Sequence, residues 1–200
     1  VVQATNVTNT DTSANLPASI QSGDLLLLFI ADCVGSDPGA ISGWTQFFHE
    51  GTSGTAGLLT GYYRVANGSE GATLTIPVQA ASLTYRISGY QGTPESADTS
   101  STSAGSPDPP SLAPSWGSAK TLWIAVGLIT STSAAGPRTI SGFPSNYTGG
   151  ITAEQNLPFN DVCTVGGAQR NLEASSDDPG AFTVSATDGW AAAIVAIRPA

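Results

Sequence analysis

The 200-residue chain contains no methionine, a single lysine (Lys120), a single histidine (His49) and two cysteines, Cys33 and Cys163. Charged residues make up 10 % of it, and 15 acidic against 6 basic side chains leave a net charge of −9. So few cations exclude nucleic acid and anionic membranes as partners, because both are bound through basic patches. One histidine and two cysteines are too few ligands for a structural zinc site, and no cofactor is expected. No apolar run approaches the ~20 residues of a membrane-spanning helix; the longest are 25–31 and 190–197. The sequence opens without a basic stretch followed by an apolar one, so no signal peptide is read there. G-x-S-x-G elbows and phosphate-binding glycine loops are missing as well.

What the chain does have is 40 % hydrophobic residues, enough to fold, broken into short β-branched and aromatic runs. Gly, Pro, Ser, Asn and Asp clusters separate these runs, the pattern of an all-β protein. Strands are predicted near 1–7, 24–32, 45–49, 58–65, 72–76 and 82–88. A second set falls near 121–129, 151–155, 162–172, 181–186 and 191–198. The unbroken run Leu25 to Ile30 reads as a central strand covered on both faces. The alternating Thr73-Leu74-Thr75-Ile76 reads as a strand with one wet face. Turns are expected at Asn67-Gly68, Asp178-Pro179-Gly180 and Asp188-Gly189. The fold class that follows is an antiparallel β-sandwich, jelly-roll-like.

The two sets of strands look like one unit written twice. Residues 16–31 align with 112–127, so that Leu27 falls on Trp123. Ile41-Ser42-Gly43-Trp44 aligns with Ile140-Ser141-Gly142-Phe143, Arg64 with Arg170, and Arg86 with Arg198. The offset only grows along the chain, as it would if the second copy gained loop residues. Repeated units generally bury a shared face, which favours a scaffold or binding module over an enzyme. One pseudo-two-fold sandwich domain over 1–200 is expected, with repeats 1–90 and 95–200. Two tandem small sandwiches joined near 90–95 are the alternative. The segment 90–114, with its Ser/Thr run and Pro107-Asp108-Pro109-Pro110, is read as a crossing within one domain.

Few residues invite chemistry. His49 could serve a serine triad, but no particular serine is tied to it, and a solvated histidine is the plainer reading. Asp177 and Asp178 could act as a carboxylate pair, but adjacent aspartates in a turn normally cap their own backbone. Asp32 and Asp37 have the oxygen-rich look of a calcium loop without its spacing. Cys33 and Cys163 allow one disulfide, with idle thiols the plainer reading. The paired arginines read as structural partners for carboxylates at sheet edges. Trp44, Phe143, Leu27 and Trp123 are assigned to core packing. Tyr90, Trp116 and Tyr147 fall in loops and are the candidates for contact with a partner or a glycan.

The strings NLPASIQSGDLLLLFIAD, YYRVANGSEGATLTI, LTYRISG, PDPPSLAPSWGSAKTLWIAV and DDPGAFTVSATDGWAAAIVAIRPA resemble small β-rich structural proteins of tailed bacteriophages, especially those of aquatic bacteria. The resemblance spans nearly the whole chain. It implies a non-enzymatic virion part, and it carries no catalytic or binding residues. A head decoration or cement protein is the first expectation. Its partners would be major capsid protein subunits and further copies of itself, with a trimer favoured. A tail-tip or fibre module that touches a host-surface glycan is the second. The location expected is the virion, on the outer surface of the head or on the tail.

Overall fold

A computed structural model describes residues 3–33, 35–51, 57–131, 138–156 and 162–200, with backbone only for 3–10 and 156. The described residues form twelve strands: β1 (Gln3–Asn15), β2 (Leu25–Asp32), β3 (Thr45–Gly51), β4 (Leu58–Val65), β5 (Thr73–Ser88), β6 (Glu95–Gly105), β7 (Ala119–Ser131), β8 (Ile140–Gly142), β9 (Thr148–Asn156), β10 (Val162–Ala174), β11 (Thr183–Val184) and β12 (Asp188–Ile197). One five-stranded sheet runs β1-β5-β2-β4-β3 and the other β6-β12-β7-β10-β9, while β8 pairs with β11 in a small ribbon. Every pairing is antiparallel. The protein is an all-β sandwich. Among the described residues no helix is long and apolar enough to cross a membrane.

The period-two alternation of a strand decides which side chains meet. Leu25, Leu27 and Phe29 of β2 face Leu122, Ile124 and Val126 of β7 in a central core closed by Leu83, Tyr85, Val165 and Val195. The intervening residues point outward. Leu26, Leu28 and Ile30 join Trp44, Tyr62 and Ile76 in a second cluster. On the other sheet Trp123, Ala125 and Ile129 join Tyr147, Phe182 and Ile194 in a third. Loops therefore cover both outer faces, and β2 is buried along its entire length, as its unbroken apolar run requires. Phe47 is an extra residue in β3, where the register slips between Gln46 and Phe48. The bulge lets two successive rings reach Phe29, at centroid distances of 6.3 Å and 6.1 Å.

Three differences from the sequence reading have physical reasons. Residues 95–105, within the segment read as a crossing and assigned no strand, form β6, which among the described residues pairs only with β12. An edge strand with one neighbour tolerates small polar residues that a central strand would not. The two runs 72–76 and 82–88 belong to a single strand, β5, whose ladder to β1 breaks where Pro77 has no N–H to give. Asp188-Gly189 opens β12 instead of forming a turn. Of the expected first strand, Val1 and Val2 lie outside the described residues.

The strands are also distributed differently from a jelly roll, because each half of the chain builds one whole sheet. Both sheets order their own five strands first-fifth-second-fourth-third. The ladders nevertheless move several residue matches made from sequence. Arg64 lies opposite Leu26 and Arg170 opposite Trp123. Trp123 therefore stands where Leu26 stands, one residue from the alignment, and a one-residue slip exchanges the inner face for the outer. Thr45 pairs with Tyr63 as Thr148 pairs with Gln169, which puts Tyr147, and not Phe143, in the place of Trp44. Arg86 corresponds to Ala196, since both flank those two residues.

Cys33, just past β2, is disulfide-bonded to Cys163 at the start of β10, with Cα atoms 5.3 Å apart. The expectation of idle thiols is corrected. The bridge joins the two sheets at one end of the sandwich, beside the buried Gln155, whose Oε1 accepts the Cys33 N–H at 2.7 Å. At the other end Tyr90 and Pro199 form a backbone bridge between the chain ends leaving β5 and β12. A cross-link across 130 residues removes much of the unfolded chain's freedom, on the order of 3–5 kcal/mol. Replacing both cysteines by alanine is expected to leave the fold intact and lower Tm by roughly 10 °C in a thermal melt.

Candidate functional site

The three aromatic candidates do not converge. Tyr90 is half-buried against the central core, and burial, then the charge of Asp24, raises its hydroxyl above the usual range. Trp116 is half-buried on the third cluster, where its Nε1 donates to Thr121 Oγ1 at 3.1 Å. Tyr147 shares that cluster but is buried, at 8 % exposure, which removes it as a contact residue. Its sequence context reads as a loop because Pro144-Ser145-Asn146 makes a turn, with Asn146 at φ 68°. That turn folds the ring inward instead of presenting it.

Tyr147 belongs to a buried polar cluster. Its hydroxyl donates to Asp177 Oδ2 at 2.6 Å, and Arg170 Nε donates to the same oxygen at 2.8 Å. Arg170 Nη2 also donates to Asp177 Oδ1, and the guanidinium lies 5.0 Å from the centre of the Tyr147 ring. Burial, followed by the hydrogen bond and charge of Asp177, drives the Tyr147 hydroxyl far above its ordinary range. The bidentate fork fixes the 174–182 loop over the sheet. Asp177 is thus committed, while its neighbour Asp178 is exposed, so the two are not an acid–base pair.

The first sheet has a matching cluster. Arg64 contacts Glu70 at 3.0 Å and lies 5.8 Å from the centre of the Trp44 ring. Glu70 accepts the N–H groups of Asn67 (2.8 Å) and Gly68 (2.9 Å). Burial opposes its ionisation, but these N–H groups and Arg64 outweigh it and hold the carboxyl below the usual range. Arg86 lies 3.5 Å from Asp24 and donates to Ala18 O at 2.9 Å. Arg64, Arg86 and Arg170 are structural, as expected, although they rise from interior strands and take their acids from loops, whereas Arg198 is exposed just past β12. An open groove of about 360 Å³ lies between Leu16–Ile20 and Glu70–Ala72. Its walls are held by Arg86 and Arg64, and no aromatic ring lines it.

The remaining acids divide in the same way. Asp32 Oδ1 accepts the N–H of Ser36 and Asp37 Oδ1 that of Gly39, each at 2.7 Å, so the suspected calcium loop is turn capping. No three His, Cys, Asp or Glu side chains gather to hold a metal among the described residues. His49 Nδ1 lies 3.7 Å from Asp37 and 3.4 Å from Thr60 Oγ1. The carboxyl pair that does form is Glu50 with Asp98, which sequence spacing gave no means of finding. Burial first, then a hydrogen bond and charge from Glu50, pushes Asp98 up to about 6. No known protein family, curated protein or solved structure matches the chain.

Removing Asp177 strands a partly buried guanidinium and a buried phenol together. Asp177→Ala is expected to cost about 3 kcal/mol, whereas Tyr147→Phe, which removes one donor and leaves the ion pair, costs about 1 kcal/mol. Urea unfolding of the two variants measures the difference, and equal losses would place the energy in packing instead of the ion pair.

Proposed function

We propose that this chain is a non-enzymatic structural protein of a phage particle, a decoration or cement protein that stabilises the head by binding shell subunits. The observation that carries this reading is where the buried charge goes. Asp177, Glu70 and Asp24 are each held by an arginine of the same sheet and serve to fasten loops. Such a molecule is organised to hold shape. The disulfide between the sheets suits work outside a reducing cytoplasm. The common strand order of the two sheets supports a further part of the proposal, that both halves descend from one unit. Stabilisation by contact needs only area, and an interface of ~1,600 Å² repeated over a shell is ample.

A tail-tip or fibre module that binds host-surface glycan is the second reading, favoured by the partly exposed rings of Tyr90 and Trp116. Copy number separates the two. Quantitative mass spectrometry of purified particles is expected to give a ratio to the major shell protein of one or a simple fraction. A handful of copies per particle, together with glycan binding that is lost in Trp116→Ala, would replace the first reading by the second. Absence from particles would sink both.

A further inference from the structure

The sandwich has two open sides where edge strands of opposite sheets meet. On one, β9 is tied across by Gln155, whose Nε2 donates to Gln79 O and whose Oε1 accepts the Cys33 N–H. On the other, β3 meets β6, and the cross-links there are acidic. The ladders fix which way these side chains point. Asp98 and Ser100 stand opposite Ala193 and Ala191, and Glu50 stands opposite Leu59. All three partners belong to the central core, so both carboxyls turn in toward its apolar rim.

The Ser100 hydroxyl lies 2.6 Å from Gly51 O and also contacts Glu50 Oε1. The hydroxyl has one proton for two acceptors, the Gly51 carbonyl and Glu50 Oε1, and its contacts tie β6 to the end of β3. His49 points to the opposite face of β3, toward Asp37. β12 offers alanines and β4 a leucine at these levels. Among the described residues neither Glu50 nor Asp98 has an arginine, lysine or histidine partner.

We propose that Glu50 and Asp98 form a proton-dependent latch that closes the β3–β6 side of the sandwich and loosens it when Asp98 gives up its proton. This goes beyond the particle reading and does not depend on what the protein binds. The elevated Asp98 titration agrees with it. The folded form holds a proton that the unfolded chain gives up near ~4, so the stabilisation is complete below about pH 4 and is lost as pH rises through about 6. Inward-turned acids on edge strands also keep an edge from pairing with another chain.

Hydrogen exchange of the full-length protein at pH 5 and pH 8, corrected for intrinsic rates, tests the latch. Exchange at β3 and β6 is expected to rise about tenfold relative to β1 and β9, a figure reduced for solvent screening. In Asp98→Asn, and independently in Glu50→Gln, the ratio stays flat and Tm at pH 8 is no lower than in the parent. An unchanged ratio in the parent, or a rise that persists in a folded Asp98→Asn or Glu50→Gln protein, would overturn the proposal.

Discussion

Face-to-face burial of β2 against β7 is the constraint on which the remaining structure depends. Each is the middle strand of its sheet, and Leu25, Leu27 and Phe29 are fully or almost fully buried against Leu122, Ile124 and Val126. Burying a single such side chain is worth about 1.5–3 kcal/mol, so this layer outweighs any single polar contact described above. Because the layer is made from both halves, neither half closes a core without the other. The disulfide and the Tyr90–Pro199 bridge then fasten the two ends of an arrangement that the core already defines.

A middle strand buried on both faces creates a second requirement, since its outward residues also need cover. The loops meet it, and polar contacts at their bases hold them down. Arg64 with Glu70, Arg86 with Asp24 and Arg170 with Asp177 rise from strands β4, β5 and β10 into the covering turns. This explains why so few charged residues suffice and why acids outnumber bases without crowding. Asp177 and Asp24 are buried and paired, while acids such as Asp108 and Asp178 face solvent. The exception is the Glu50–Asp98 pair, where two acids meet without a cation.

The candidate contact residues illustrate the limit of reading loops as surface. Tyr147 sits between a turn and a strand in sequence, yet it is buried because Arg170 and Asp177, 23 and 30 residues further on, fold over it. Trp116 keeps part of its surface exposed, with its indole N–H satisfied by a threonine only five residues away. Composition is silent on such differences, which depend on which loop lies above which strand.

By itself the sequence determined that the chain is all-β, that residues 25–30 form a covered central strand, and that Arg64, Arg86 and Arg170 are structural. These follow from local periodicity, turn chemistry and the cost of burying an unpaired charge. The alignment of the two halves did not give the register of the ladders. A slip of one residue changes little in sequence similarity but reverses inside and outside, as Leu27 and Trp123 show. Only the tertiary structure decided that Cys33 reaches Cys163, that the Ser/Thr-rich 95–105 is an edge strand, and that Glu50 faces Asp98. Each of these is a meeting of residues far apart in the chain, fixed by how two sheets stack and not by any preference of the residues themselves.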